Sequence, residues 1–232
     1  MAILAALFLS ACSGKTPIKK ITEELDVYPE FSIILNDMRA DGNFSTTYYH
    51  EYKLVYAEQH GDSLVYRTQM SDWYRVSKRE FSKYANMLGM TIVSKQQDGE
   101  ISNVQYPPGY QYVGDTRYGR WRSDSSGRSF WAFYGQYHFM RSMFYGYGGS
   151  PIYRNDYDAY RTSYRSRRPY YGLNNQYGTS GRVTQQNNRN FYQRRAAREK
   201  SRKQRFNDKV RQRSSRSRMS RVRSRSSRGF GK

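Results

Sequence analysis

Thr46-Thr47-Tyr48-Tyr49-His50-Glu51-Tyr52-Lys53-Leu54-Val55-Tyr56 repeats every second residue, with Tyr48, His50, Tyr52, Leu54 and Tyr56 on one face and Tyr49, Glu51, Lys53 and Val55 on the other. That period is the pleat of a β-strand. Gln59-His60-Gly61-Asp62 supplies a polar turn, and Leu64, Tyr66, Thr68 and Met70 then alternate with Val65, Arg67 and Gln69, so the pair reads as a hairpin. Further on, Ser77-Lys78-Arg79-Glu80 has the spacing of a capping box and predicts a helix start. Phe81, Tyr84, Ala85 and Leu88 make its apolar stripe, and Gly89 is suited to the left-handed residue that ends it. Met90–Gln97 and Glu100–Tyr106 flank Asp98-Gly99, a second hairpin, and Pro107-Pro108-Gly109 stops regular pairing.

Upstream, Thr16-Pro17 reads as an N-cap with proline at the first helical position, and Ile18, Ile21 and Leu25 share one face of a short helix. Phe31, Ile34, Leu35 and Met38 follow i, i+3, i+4, i+7 and predict a second helix ended by Asp41-Gly42. Residues 16–106 therefore read as an α+β domain, a small antiparallel sheet with packed helices on one face.

The remainder is compositionally different. Tyrosine occurs 24 times, 15 of them between Tyr106 and Tyr177. Residues 107–128 read as a polar linker. Residues 129–145, with Phe130, Trp131, Phe133, Tyr134, Tyr137, Met140, Phe144 and Tyr145, read as an aromatic helix. Such a helix either docks on the sheet or lies at a bilayer interface. It lacks a charged outer face, and docking is the expectation. Residues 146–181 mix Tyr, Gly, Arg and Asn without a period, which predicts a largely disordered segment. The net charge is +21, and residues 182–232 hold 19 Lys or Arg against Glu199 and Asp208, so +17 resides in this basic Arg/Ser-rich tail. Thr184–Gln212 reads as helical when bound, and the Ser/Arg alternation of Ser214–Arg228 as extended.

No reactive constellation emerges. Three histidines (His50, His60, His138) and one cysteine do not make a metal set or a Cys/His dyad, so no catalytic residue, metal or cofactor is nominated. His50 reads as a buried or edge-facing ring. The neighbouring acids Glu23-Glu24, and Asp156 with Asp158, read as solvated. Ser13-Gly14-Lys15-Thr16 lacks the glycine that a phosphate-binding loop requires, since Leu9 stands there. Asn43-Phe44-Ser45 is a formal glycosylation sequon read as a turn before the strand.

Leu9-Ser10-Ala11-Cys12 closes an apolar run beginning at Met1. The run is too short for a span of about 20 residues but fits the apolar region of a signal peptide. These residues resemble the lipobox of bacterial lipoproteins. The resemblance covers about the first dozen residues and implies that 1–11 are a signal peptide and that Cys12 is the acylated residue. It further implies that 12–15 tether the protein to a membrane of the cell envelope. In the enterobacterial form of that family a residue other than Asp after the cysteine, here Ser13, implies the outer rather than the inner membrane.

The tail is the candidate binding surface. Arg194, Arg195, Arg198, Arg202, Arg205, Arg211, Arg213, Arg216 and Arg218 can neutralise a polyanion, and Phe191, Tyr192 and Phe206 add aromatic contacts. An exported tail meets anionic envelope polymers and lipid headgroups. The alternative partner is nucleic acid, with the rings stacking on unpaired bases. Ser214–Arg228 resembles the Arg/Ser domains of splicing proteins in composition alone. The α+β domain is left to contact a protein partner, and the whole reads as non-enzymatic.

Overall fold

The computed structural model describes residues 15–42, 45–61, 63–137, 140 and 151–225, which divide into two units between Asn188 and Arg189. The lipobox-like residues through Cys12, Asn43 and Phe44 of the sequon and Asp62 of the first turn lie outside the described residues. So do His138, Phe144, Tyr145, residues 146–150 and Arg228.

The first unit is built on a six-stranded antiparallel sheet. Helix α1 (Pro17–Leu25) starts where Thr16 accepts the Lys19 amide, has proline in its first turn, and buries Ile18, Ile21 and Leu25. Strands β1 (Phe31–Asp41), β2 (Thr47–His60), β3 (Ser63–Met70) and β4 (Tyr74–Val76) follow. Next come helix α2 (Lys78–Lys83) and strands β5 (Thr91–Lys95) and β6 (Ile101–Ser102). The sheet order is β3-β2-β1-β5-β6, with β4 also pairing β2. Both expected hairpins are present, β2 with β3 and β5 with β6. The Ser77 hydroxyl accepts the Glu80 amide at 3.1 Å, and Gly89 adopts φ +73°. Ser77→Ala removes that cap and is expected to lower stability by about 1 kcal/mol, read as a shifted urea midpoint at unchanged slope.

The helix predicted over Phe31–Met38 is instead strand β1, the central strand. Its helix-like spacing has two sources: Ile34 faces the opposite side of a sheet buried on both faces, and a β-bulge separates Leu35 from Met38, since Leu35 lies opposite Tyr52 and Asp37 opposite Glu51, leaving Asn36 as an extra residue. Phe31, Ile33, Leu35 and, past the bulge, Met38 thus pair with Tyr56, Leu54, Tyr52 and His50 on one face. Helix α2 covers that face through Phe81 and Tyr84, whose rings lie 5.5 and 6.2 Å from the His50 ring.

The other face presents Ile34, Val55, Ala57 and Tyr66, and these belong to one buried cluster with Tyr106, Tyr110, Tyr112, Tyr118, Trp131, Tyr157, Tyr160, Tyr170 and Tyr177. Three expectations are corrected here. Residues 107–128 are not a linker: Tyr110, Tyr112 and Tyr118 are buried, and strand β7 (Gly119–Ser123) lies within them. Over residues 129–137 the expected aromatic helix is replaced by strand β8 (Ser129–Phe133), which pairs with β7, and a short 3-10 turn at Gly135–Tyr137; beyond them only Met140 is described, and it is helical and buried. Aromatics at most positions satisfy any period, and the cross-strand pair Trp121–Trp131, 5.2 Å between centroids, favours the hairpin. Residues 151–181 are folded, with helix α3 (Arg154–Arg165) and buried Tyr157, Tyr160, Tyr170 and Tyr177. Backbone bonds from Tyr170 to Gln105 and from Thr179 to Asn86, both to carbonyls, tie this segment to the chain flanking β5. A sheet with two apolar faces needs cover on both, and the tyrosine-rich segment supplies the second layer. The short helix α4 (Arg182–Asn187) ends the unit and buries Val183 and Thr184.

The second unit is a single helix, α5 (Arg189–Arg225). It passes through Ser214 to Arg225, where the Ser/Arg alternation predicts extended chain, so that expectation is corrected for the described part. Arginine is a good helix former, and serine costs only a few tenths of a kcal/mol per position.

Candidate polyanion interface

Helix α5 has 37 residues, about 55 Å of axis at 1.5 Å per residue, with 16 Lys or Arg against two acids. No apolar stripe runs along it, so it offers nothing to bury against a core. At about 100° per residue, Phe191, Arg194, Arg198, Arg202, Arg205 and Lys209 fall within one arc of about 80°, with Arg195 and Arg213 at its margin. Phe206 lies at the same edge, 66% exposed. All seven arginines between Arg194 and Arg213 named from the sequence are exposed. The helix therefore gathers most of them on one side, whereas Arg211 projects from the opposite side. Arg216 and Arg218 lie in the last part of the same helix. Phe191 and Tyr192 are half-buried and pack edge to face at 5.0 Å. Arg195 faces Glu199 one turn on at 3.6 Å, a pair open to solvent and worth little to stability.

This arrangement makes a cationic rod in which most of the named arginines share one arc, while Arg189, Lys200, Lys203 and Arg211 carry positive charge on the far side. A polyanion lying along the arc releases its own counterions as arginines replace them, so binding weakens steeply with salt. Guanidinium forks match phosphate and carboxylate oxygens in pairs, which ammonium groups do not.

The first unit buries two carboxyl groups, Glu30, which the sequence did not single out, and Asp156, which it read as solvated. Glu30, 2% exposed, accepts from the Tyr66 hydroxyl at 2.9 Å through Oε2 and from the Tyr118 hydroxyl at 2.5 Å through Oε1. Burial pushes its carboxyl above the ordinary value, opposed by those phenol bonds and by the Arg117 charge. Asp156, expected to be solvated beside Asp158, is 4% exposed and accepts from the Tyr110 hydroxyl at 2.5 Å and from the Tyr170 hydroxyl. Asp158 is exposed, as are Glu23 and Glu24. Each buried carboxylate is gripped by two phenols that themselves need an acceptor, the geometry of a structural tie. No local motif announces it, because the partners stand 36 and 88 residues apart for Glu30.

His50 is fully buried, as expected, with Nδ1 3.1 Å from the Tyr52 hydroxyl and Nε2 without a partner among the described residues. Burial lowers its pKa to about 4, so the ring is neutral at pH 7. Among the described residues no group of three or more His, Cys, Asp or Glu is placed to hold a metal ion, and no helix is long and apolar enough to cross a membrane. Comparison of the chain with family models, with curated proteins and with solved structures finds no match.

Proposed function

We propose that this chain is a non-enzymatic lipoprotein of the bacterial cell envelope, moored by acyl chains on Cys12 in the outer membrane, with α5 as an arm that binds anionic envelope polymers or lipid headgroups. The observation that carries the binding half is the arc of exposed arginines on α5, a helix without an apolar face. The anchoring half rests on the lipobox resemblance of Leu9–Cys12. The folded residues before Arg189 serve in this reading as the body that meets a protein partner. Each buried methylene of an acyl chain contributes about 0.8 kcal/mol, against about 1 kcal/mol for each basic residue near an anionic surface. Lipid fixes the location and the arm selects what is bound there.

The test is fractionation of the full chain in its native host. Wild type is expected in the membrane pellet at physiological salt and Cys12→Ser in the soluble fraction, with an acylated Cys12 as the first residue by mass spectrometry. A Cys12→Ser protein that stays in the pellet, or an intact Met1 with an unmodified thiol, overturns the anchor. Nucleic acid is the second reading, favoured by Phe191 within the basic arc and Phe206 at its edge. If it holds, Phe191→Ala with Phe206→Ala weakens binding to single-stranded oligothymidylate about tenfold and leaves lipopolysaccharide binding unchanged, because only bases stack.

A further inference from the structure

We infer that the folded unit carries a second anion site, independent of the α5 arm, in the groove between α3 and β7, and that its ligand is a phosphate monoester. The groove has a volume of about 480 Å³ and is walled by Trp121, Arg154, Tyr157, Asp158, Arg161 and Arg165. Arg154, Arg161 and Arg165 are seven and eleven residues apart, which places all three on one side of α3 within about 40°. Like charges crowded on one helix face repel, and Arg154 lies in the first turn, where the helix dipole adds to the repulsion. The compensation within the groove is partial. Asp158 approaches Arg154 at 3.5 Å. Arg161 donates to the neutral Tyr157 hydroxyl at 3.1 Å, not to a carboxylate. Three cations against one anion leave the concavity with two positive charges, the complement of a phosphate-monoester dianion.

Two of the three guanidinium groups already lie against aromatic rings before any ligand arrives. Arg154 lies over the Trp121 ring at 4.7 Å, and Arg161 over the Tyr157 ring at 5.8 Å. Trp121 and Tyr157 in turn contact each other at 5.6 Å. Gly114, at φ +87°, lets the chain lie against Tyr157, since a Cβ there would meet the phenol oxygen at 2.4 Å. Side chains restrained by such contacts lose less entropy on binding, and guanidinium forks match phosphate oxygens in pairs.

Titration of the full chain at constant ionic strength, followed by the Trp121 indole N–H resonance, tests the site. Glycerol 3-phosphate and phosphatidic acid vesicles are the two probes, and they separate a soluble phosphomonoester from a lipid headgroup. A saturable shift with either is expected, with none for glycerol. Arg161→Gln with Arg165→Gln is expected to weaken it at least tenfold, and exposed Arg165→Gln alone several-fold. Arg194→Gln with Arg198→Gln on α5 should leave it unchanged, so failure here is distinguishable from failure of the arm. No saturable shift with either probe, an equal response to glycerol, or an affinity indifferent to Arg165 overturns the site.

Discussion

Asp156→Ala is expected to lower the unfolding free energy by about 3–5 kcal/mol, the cost of opening a buried hydrogen-bonded charge network, against about 0.5 kcal/mol or less for Asp158→Ala two residues on, on the other side of the helix. The difference lies in what each carboxylate holds. Asp158 is exposed and meets Arg154 in solvent, whereas Asp156 is the acceptor for two buried phenols, those of Tyr110 and Tyr170. Truncation takes the carboxylate acceptor from both hydroxyls, leaving that of Tyr170 the backbone carbonyl of residue 156 at 3.2 Å, costs about 1–3 kcal/mol for each bond lost, and opens a small void. A domain stable by only about 5–15 kcal/mol feels that directly. Urea unfolding measures it. The companion variant Asp156→Leu with Tyr110→Phe and Tyr170→Phe removes all three polar groups together and is expected to recover most of the loss, because no donor is then stranded. Equal losses for Asp156→Ala and Asp158→Ala, or no recovery in the triple variant, would show that the carboxylate does not tie the layer.

These ties explain why part of the fold was legible and part was not. The two faces of β2, the Thr16 and Ser77 caps, Gly89 and both hairpins are set by residues within a few positions of each other, and the sequence displays them. Strand β1 misleads because it is buried on both faces, so Ile34 adds an apolar position between Phe31 and Leu35, and because the bulge residue Asn36 puts Met38 three positions after Leu35 on the same face. The second layer misleads for a different reason. Tyrosine counts as polar in an average over Gly, Arg and Asn, yet Tyr110, Tyr160 and Tyr177 bury their rings almost completely. Burial is open to them because Tyr110 finds an acceptor in Asp156 and the rings meet edge to face, as Tyr110 with Tyr160 does at 5.3 Å. Those partners stand tens of residues away, outside any local window. The basic residues of α5 were visible individually, and only a continuous helix aligns Arg194, Arg198, Arg202 and Arg205 into an arc while turning Arg211 away.

Acidification supplies the second large effect, through His50. Its folded pKa is lowered to about 4 from 6.5 by burial under Phe81 and Tyr84, so between those values the unfolded chain binds a proton that the folded one refuses. The contribution is fully present above pH 6.5 and is lost as pH falls toward 4, by about 3 kcal/mol at about 1.4 kcal/mol per pH unit. The buried carboxyls Glu30 and Glu80 act in the opposite sense. Burial raises both, so each keeps its proton in the folded state at a pH where the unfolded chain has released it. Raw stability against pH therefore mixes the two signs, and a variant must isolate the histidine. His50→Gln keeps an amide that can meet the Tyr52 hydroxyl and cannot titrate. Wild type minus His50→Gln, measured by urea unfolding from pH 7 to pH 4, is expected to fall by about 3 kcal/mol, since only wild type takes up the extra proton on unfolding. Parallel curves across that window would mean that the ring is charged in the folded state, which a fully buried imidazole packed among aromatic rings, with no carboxylate bonded to it, has no means to sustain.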